Sequence, residues 1–335
     1  MNAPHVTVLI EDLARLAAAA TSAQRYPALE RAWCRGTPCR LQSRTPNHLR
    51  FTLFGLESNG PLPVAALTLA ADGDTSSHRD SYWLRVDPVS LWADMARVFM
   101  TRFGFADLDP YERNEVENIV RAVLLEEGFR LQGDHPERWC IPLAAPLPFE
   151  FTPLDQALGM DLGDALPGHP EARYWRRILT EIQVALHNAP VNVNRRAAGQ
   201  TEINSVWFWG GGFLPDAAPS NLLDTVYSDS AVSRGLALIS DCRLRQLEEL
   251  PGAVLDGDAQ AVLIDWSSAE QGANARMQKL ETLAEILLYR ANRGQLALTL
   301  YDGSGEGRSY GTAASRRFWR RRQPLAQLLA PTAPE

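Results

Sequence analysis

The sequence predicts an α/β protein with a mainly parallel sheet that is covered by helices on both faces. The chain opens with a β-branched run, VTVLI at 6–10, which is followed at once by the helix-favouring segment EDLARLAAAA. Near the other end, the apolar segments AQAVLIDW and QLALTLYDG flank a long helical pattern at 275–294. Between them, HPEARYWRRILTEIQVALHNAP places apolar residues at helical spacing and ends at Pro190. Strands that alternate with helices in this way are typical of parallel sheets.

The middle of the chain predicts further elements and a division of the protein. Residues 61–100 predict several strands, of which SYWLRVDPVSL is the clearest, and 109–128 have a helical pattern that Gly128 ends. A Pro- and Gly-rich segment at 144–168 lacks periodicity, which is typical of a long connection. We therefore predict a single α/β body over 1–335, with a flanking or lid-like α+β subdomain at about 60–150, a connecting segment at 151–170 and the second part of the core at 171–335.

The composition indicates a folded protein and argues against several function classes. Hydrophobic residues make up 45% of the chain, and no apolar run approaches the roughly 20 residues that cross a bilayer. Lys279 is the only lysine, and its setting lacks the glycines of a Walker A loop. The four cysteines form no CxxC pair, which argues against a structural zinc site. The amino terminus lacks the basic region of a secretory signal, so we expect a cytoplasmic protein with no membrane segment and no cofactor.

The most distinctive stretch is TEINSVWFWGGG at 201–212, a predicted strand that runs into a glycine-rich turn. Alternation along the strand places Trp207 and Trp209 on one face, and one interpretation is that both belong to the core. The alternative is a ligand-binding cleft at the strand ends, where α/β sheets bind their ligands. The arginines of the preceding loop VNVNRRAAG would then contact an anionic ligand, because guanidinium groups suit carboxylates and phosphates. The candidate ligand-binding residues are Arg195, Arg196, Asn204, Ser205, Gly210 and Gly211.

The strongest electrostatic feature is the segment SRRFWRRRQPL at 315–325. Its candidate partner-binding residues are Arg316, Arg317, Phe318, Trp319, Arg320, Arg321 and Arg322. One interpretation is a surface on which arginines meet phosphates or carboxylates while the aromatic rings stack on a partner. The alternative is a terminal helix that packs both rings into the body and pairs its arginines with the protein's own acidic residues. Because the net charge of the chain is −7, an acidic protein surface fits this segment better than a nucleic acid does.

The order of several pieces resembles a known superfamily. A strand that ends in WFWGGG, a helix around SRGLALISD and a strand AVLIDW that leads to the helix with Lys279 resemble the archaeal-type cofactor-independent phosphoglycerate mutases of the alkaline phosphatase superfamily. More specifically, LRVDPVSL, INSVWFWGGG and FWRRR are similar to the bacterial family of RpfE-type regulatory proteins. The resemblance spans most of the chain. It implies an alkaline-phosphatase-like core and, in the enzymes, histidine and acidic metal ligands at the strand ends.

The chain departs from the enzymes at those metal-binding positions. Where the enzymes place a histidine and then Asp-Glu-x-x-His, this chain has Asp265 and Trp266 followed by SSAEQG at 267–272. Their Asp-His pair after the late strand is here Asp302 and Gly303, and their Asp-Gly pair after the first strand is replaced by Glu-Asp. Two-metal phosphoryl transfer needs several carboxylates and imidazoles that converge on the cations, and the six histidines match none of these positions. A mononuclear carboxylate site would be formed by Asp12, Asp265 and Asp302.

These features predict a non-catalytic regulatory or binding protein on a phosphoglycerate-mutase-like scaffold that lacks the metal ligands. One alternative is a metal-dependent phosphoryl-transfer enzyme, a phosphomutase or phosphatase, with an atypical carboxylate site. The other alternative is a nucleic-acid-binding regulator that acts through FWRRR. The leading prediction expects a protein partner or a small anionic ligand, and it expects neither a membrane nor a nucleic acid as partner.

Overall fold

The computed structural model of the chain describes residues 3–19, 24–43, 45–56, 60–73, 79–105, 107–216, 222–250, 259–267 and 273–329. The chain divides into two compact units. The first unit comprises Met1–Ser58 together with Asp216–Glu335, and the second comprises Asn59–Pro215. The segment 268–272, which corresponds to part of a metal-binding loop in the resembled enzymes, lies outside the described residues.

The elements of the described residues are numbered in chain order. The strands are β1 (His5–Ile10), β2 (Thr37–Arg40), β3 (Tyr82–Ala93), β4 (Val98–Phe103), β5 (Trp139–Leu143), β6 (Ser205–Gly212), β7 (Thr225–Ser228), β8 (Arg243–Arg245), β9 (Ala261–Trp266), β10 (Ala297–Asp302) and β11 (Glu306–Tyr310). The helices are α1 (Leu13–Ala19), α2 (Pro27–Arg35), α3 (Pro46–Leu53), α4 (Val64–Ala71), α5 (Pro110–Glu126), α6 (Leu154–Ala157), α7 (Leu162–Ala165), α8 (Ala172–His187), α9 (Pro190–Ala197), α10 (Ala231–Ile239), α11 (Ala273–Asn292), α12 (Thr312–Ser315) and α13 (Leu325–Leu328).

Local sequence signals fix where the helices begin. The Thr45 hydroxyl accepts a hydrogen bond from the backbone N–H of His48, and Pro46 follows it in the first turn of α3. α5 begins with a capping box, in which Asp109 and Glu112 each accept a hydrogen bond from the other's backbone. Helix α3 carries Arg50, whose side chain reaches Asp265 of the parallel sheet.

Within the described residues, seven strands form the sheet of the first unit, in the order β2–β11–β10–β1–β9–β7–β8. β1 lies at the centre and is parallel to β10 and β9, while β7 is parallel to β9 and β8. Only β11 and β2, at one edge, join antiparallel. The prediction of an α/β protein with a mainly parallel sheet is therefore confirmed.

Helices lie on both faces of this sheet, as alternation along β9 makes clear. Ile264 and Trp266 belong to an apolar cluster with residues of α1, α2 and α11. Asp265 stands between them and therefore points to the opposite face. There it contacts Arg50 of α3 and Ser233 of α10. The predicted two-sided helical cover is thus confirmed.

The second unit contains an antiparallel sheet in which β3 pairs with β4, β5 and β6. The TEINSVWFWGGG segment contains β6, so this strand lies in the antiparallel sheet and not in the parallel core that we predicted for 171–335. Consequently the second unit extends well past the predicted limit of about 150, and it includes the predicted connection at 151–170, where α6 and α7 form. The reason is that an aromatic strand buried on both faces has the same sequence pattern in either kind of sheet.

Candidate functional site

Acidic residues gather where the central parallel strands of the first unit end. The register aligns Ile10, the last residue of β1, with Trp266 on one side and Asp302 on the other. Glu11 and Asp12 follow β1 directly, and Asp265 is the penultimate residue of β9. The carboxyl edge of a parallel sheet is the usual location of ligand sites in α/β proteins. The contacts of each carboxylate therefore decide what this edge can bind.

Asp265 is fully buried, and its carboxylate is bound by an arginine and two serines. The Arg50 Nε donates to Asp265 Oδ2 at 2.9 Å, and Arg50 Nη2 donates to Oδ1 at 3.1 Å. The hydroxyls of Ser233 and Ser228 donate to Oδ2 at 2.5 and 3.2 Å. Three of these hydrogen bonds are to Oδ2 and one is to Oδ1, so both oxygens of the buried carboxylate have partners.

Two further N–H groups of Arg50 donate to neighbouring oxygens. Its Nη2 also donates to Glu11 Oε2 at 2.6 Å, and its Nη1 donates to Asn47 Oδ1 at 2.9 Å. Burial alone would lower the pKa of Arg50, but the charges of Asp265 and Glu11 and the hydrogen bonds to them raise it above its ordinary value. The guanidinium therefore stays charged between the two carboxylates. We call Arg50, Glu11, Asn47 and Asp265 the arginine-centred cluster.

The other two carboxylates of the alternative metal site also have partners of their own. Asp12 accepts hydrogen bonds from Arg276, at 3.2 Å to each oxygen, and from Arg15 at 2.6 Å. Asp302 accepts from the backbone N–H and the hydroxyl of Ser304, which closes a tight turn after β10.

This donor set does not fit a metal ion. The guanidinium already lies between Glu11 and Asp265 and donates to both oxygens of Asp265, so a cation at this place would have to displace Arg50. Among the residues that the structure describes, no group of three or more His, Cys, Asp or Glu side chains is arranged to hold a cation.

The position of Gly303 explains why this chain cannot have a histidine after Asp302, where the resembled enzymes have an Asp-His pair. A Cβ atom at this position would lie 1.9 Å from the backbone oxygen of Glu11 and 2.8 Å from its carbonyl carbon. Only glycine lets the loop after β10 pass this close to the end of β1. A histidine here would displace Glu11, and with it a partner of Arg50.

The predicted ligand-binding arginines lie on helix α9 and not in the loop that we predicted. Arg195 is buried and donates to the backbone oxygen of Thr201 and to the carboxylates of Asp107 and Glu112, at 2.7 to 2.9 Å. Arg196 pairs with Glu202 and the backbone oxygen of His187. Each arginine is thus used in a contact within the second unit.

The other predicted ligand-binding residues are held within the second sheet. The side-chain amide of Asn204 is bound to the backbone of β3. It donates to the backbone oxygen of Leu91 and accepts from the N–H of the same residue, both at 2.7 Å. Ser205 is buried and contacts Gln183. A Cβ at Gly210 would lie 2.9 Å from Val64, and one at Gly211 would lie 2.6 Å from the Tyr82 hydroxyl. Gly210 also has a φ of +63°, a conformation that favours glycine.

The tryptophans of this strand are core residues. Trp207 is 1% exposed, and its indole donates to the backbone oxygen of Thr152 at 2.8 Å. Trp209 is also buried and donates to Asp87, which in turn forms a buried ion pair with Arg85. The packing interpretation of TEINSVWFWGGG therefore agrees with the positions of both rings, and its glycines allow close packing against α4 and β3.

The aromatic residues of the arginine-rich segment at 315–325 are exposed, unlike the buried tryptophans of β6. Phe318 and Trp319 are 77% and 66% exposed, so they do not pack into the body as the terminal-helix alternative predicted. Arg317 and Arg320 donate to the backbone oxygens of Arg35 and Cys34, which lie at the end of α2. Cations are stabilising at the carboxyl end of a helix, where carbonyl groups lack intrahelical partners. The remaining arginines are exposed: Arg316, Arg321 and Arg322.

Two features of the site were missed at the sequence level. Arg50 is one of many arginines and stands in the unremarkable context NHLRF, so no local signal marks it as a ligand of Asp265. The serines Ser228 and Ser233 stand in SDSAVSRG, at the start of α10, where a helix start was the only visible pattern. The predicted acidic residues, in contrast, do gather at one edge of the sheet.

Part of the chain is similar in sequence to known phosphoglycerate mutases. No protein-family model matches the chain. A segment of 70 residues is 31% identical to the 2,3-bisphosphoglycerate-independent phosphoglycerate mutase of Methanosarcina barkeri, which covers 21% of this chain and 18% of that protein. A segment of 66 residues is 30% identical to the corresponding mutase of Methanosarcina mazei, covering 20% and 17%. The chain thus matches less than a fifth of the length of these relatives, and the similarity supports a distant relation to cofactor-independent phosphoglycerate mutases.

Two solved structures align with most of the chain. The cofactor-independent phosphoglycerate mutase from Thermoplasma acidophilum aligns over 93% of this chain and 90% of its own, with 16% identity and a TM-score of 0.42. The PH0037 protein from Pyrococcus horikoshii aligns over 94% and 93%, with 11% identity and a TM-score of 0.49. Membership of the RpfE-type regulatory family stays a prediction.

Within the described residues, no helix combines the length and apolar character needed to cross a bilayer.

Proposed function

We propose that this chain is a non-catalytic regulatory or binding protein on a scaffold distantly related to the cofactor-independent phosphoglycerate mutases. The observation that carries the proposal is the arginine-centred cluster at the carboxyl edge of the parallel sheet. A fixed guanidinium lies between Glu11 and Asp265, at the position where acidic side chains from neighbouring strand ends converge.

A guanidinium and a divalent metal ion do different chemistry in such a place. A metal ion has open coordination positions, through which it polarises a phosphoryl oxygen or generates a nucleophilic hydroxide. Arg50 is a hydrogen-bond donor only, and all three of its nitrogens already donate to Asp265, Glu11 and Asn47. The guanidinium therefore bridges the two carboxylates and itself offers no coordination position to a substrate.

A turnover assay tests this proposal. Chelator-treated protein is incubated with 3-phosphoglycerate, and separately with p-nitrophenyl phosphate, in the presence of Mn²⁺, Mg²⁺ or Zn²⁺. We expect no product above the protein-free control in any mixture. Metal-dependent turnover that falls when Asp302 is replaced by asparagine would contradict the proposal, since asparagine keeps the oxygen that accepts from Ser304 but removes the charge a metal requires.

A second candidate function is favoured by the exposure of the arginine-rich segment. Phe318 and Trp319 present two large rings to solvent in edge-to-face contact, with centroids 5.5 Å apart. Exposed aromatic residues flanked by arginines are the residue types that dominate protein–protein binding energies. We propose that this segment binds an acidic surface of a protein partner, because its charge is opposite to that surface and the rings supply apolar area.

A further inference from the structure

Two of the nine tryptophans of the chain are exposed, and each stands beside a concentration of charge. All nine lie within the described residues, and the other seven are buried. Trp319 belongs to the arginine-rich segment at 315–325, in the first unit. Trp92, which is 56% exposed, lies near the end of β3 in the second unit. Exposed apolar side chains that cluster on a surface mark an interaction site.

The hairpin of β3 and β4 presents an apolar tip to solvent. Trp92 is opposite Phe99 in the strand register, and the two rings stack with their centroids 6.3 Å apart. The backbone N–H of Asp94 donates to the backbone oxygen of Arg97 at 2.8 Å and closes the turn between the strands. Met95, in this turn, is completely exposed. The tip thus offers two rings and a thioether side chain to a partner.

An acidic segment runs along the outer edge of the same hairpin. Residues 139–172 contain five carboxylates and neither lysine nor arginine, in a chain with 33 basic residues. The backbone N–H of Gly159 donates to the backbone oxygen of Met100 at 2.8 Å, and Asp161 is bridged to Phe99. The acidic segment and the aromatic tip are therefore direct neighbours.

Negative charge is in excess at this tip. Asp155 on α6 and Asp164 on α7 are exposed on either side of the contact with β4. Arg97 pairs with Asp161, at 3.7 Å between Nε and Oδ2, and offsets one of the charges. We call the following residues the acidic hairpin patch: Trp92, Met95, Phe99, Asp155, Asp161 and Asp164.

The arginine-rich segment has the opposite charge and is held in place. Leu325, at its end, is 3% exposed and belongs to the apolar cluster of the first unit. Arg317 and Arg320 bond carbonyl oxygens at the end of α2. Phe318 and Trp319 therefore project from a fixed backbone, and a partner need not order this segment before it binds.

We propose that the chain self-associates, with the 315–325 segment of one copy bound to the acidic hairpin patch of a second copy. The two surfaces are opposite in charge and both carry exposed aromatic rings, so each copy supplies the surface that the other requires. Arginine, methionine and aromatic residues are also the types enriched in protein interfaces. This inference rests on the second candidate function and names the acidic protein surface that it involves. Because the two surfaces differ, the contact is heterologous and further copies can join.

Sedimentation velocity of the full chain over a concentration series tests the inference. Two patches of this size form a small interface, for which we expect a Kd on the order of 10 µM. The weight-average mass should therefore rise reversibly between about 1 and about 300 µM, and the rise should shrink in about 0.5 M NaCl. A monomer mass throughout the series would overturn the proposal.

Charge reversal locates the contact. One variant combines Arg321→Glu with Arg322→Glu, and the other combines Asp155→Arg with Asp164→Arg; all four positions are exposed. Each variant alone then opposes like charges, and we expect its Kd for self-association to rise at least about tenfold. An equimolar mixture restores opposite charges across the contact and should associate like the parent chain. A mixture that stays monomeric would overturn the assignment of the two patches.

The control for the first variant is Arg130→Glu with Arg173→Glu, which makes the same change of charge at exposed positions of the second unit. It should leave the Kd unchanged, and a loss equal to that of Arg321→Glu with Arg322→Glu would overturn a specific contact.

The role of the hairpin rings is tested by Trp92→Ala. Its matched control is Tyr289→Ala, because Tyr289 on α11 is 57% exposed. We expect Trp92→Ala to weaken self-association at least about tenfold and Tyr289→Ala to leave it unchanged. Equal effects of the two substitutions would contradict the proposed contact.

A peptide of alternating glutamate and leucine separates this inference from the function on which it rests. A chain that stays monomeric but binds the peptide through the 315–325 segment keeps the second candidate function and loses only the self-association. A chain that neither self-associates nor binds the peptide loses both.

Discussion

Replacing Arg50 by methionine is expected to lower the free energy of unfolding of the first unit by about 3–5 kcal/mol. Methionine preserves much of the aliphatic length of the side chain and removes the guanidinium. Asp265, which is fully buried, then loses two of the hydrogen bonds and the cationic partner that the described residues give it, and Glu11 loses its ion pair with Arg50. An uncompensated buried carboxylate is far costlier than a lost surface contact, which is why a large effect is expected.

Native-state hydrogen exchange at the β9 amides in increasing urea measures this loss, because these amides report the unit that contains the cluster. The matched control is Arg40→Met, which breaks an exposed ion pair with Glu306 in the same sheet and should cost less than about 1 kcal/mol. Adding Asp265→Leu to Arg50→Met removes the orphaned charge and should restore part of the stability. A cost for Arg50→Met no larger than that for Arg40→Met would show that the cluster does not hold this edge together.

Binding of an acidic partner is expected to be lost when the free arginines of the 315–325 segment are neutralised. The informative variant is the triple substitution of Arg316, Arg321 and Arg322 by glutamine, because Arg317 and Arg320 bond carbonyl oxygens at the end of α2. The probe is a fluorescent peptide of alternating glutamate and leucine, measured by anisotropy. We expect the triple variant to bind it at least about tenfold more weakly, and all binding to weaken as salt is raised.

The control removes the same charge elsewhere, by replacing Arg79, Arg130 and Arg173 with glutamine on exposed positions of the second unit. A variant with alanine at Phe318 and Trp319 tests the contribution of the rings. A labelled single-stranded oligonucleotide is titrated in parallel. Tighter binding of the oligonucleotide than of the peptide would contradict the protein-partner proposal and favour the nucleic-acid alternative, and equal losses in the two arginine triples would indicate a non-specific charge effect.

The sequence predicted the first sheet well because its strands are short, continuous apolar runs with helices between them. VTVLI, AVLIDW and ALTLYD become β1, β9 and β10, which are adjacent and parallel. Their acidic ends therefore had to meet at one edge, and Glu11, Asp265 and Asp302 do lie there. Local periodicity and the rule that parallel strands share an edge were sufficient for this part.

The rest depends on contacts that leave no local pattern. Arg50 and Asp265 are separated by 215 positions, and nothing near either residue indicates the other. The same holds for β6, whose pairing with β3 is set by packing in the second unit. The glycines of WFWGGG suggested a turn at a cleft, yet Gly211 and Gly212 are in the strand and allow Tyr82 and Pro63 to approach closely. A glycine run indicates a close approach, but it does not say whether the neighbour is a ligand or the protein itself.

In this chain a guanidinium stands where acidic strand ends could otherwise hold a metal ion. The most direct test is thermal melting of the chelator-treated chain with and without Mn²⁺ or Zn²⁺. A ligand that binds the native state raises the melting temperature, so we predict a change of no more than about 1 °C. A metal-dependent rise of several degrees that disappears in Asp12→Asn or Asp302→Asn would contradict the account, because it would show that these carboxylates coordinate a cation in spite of their present partners.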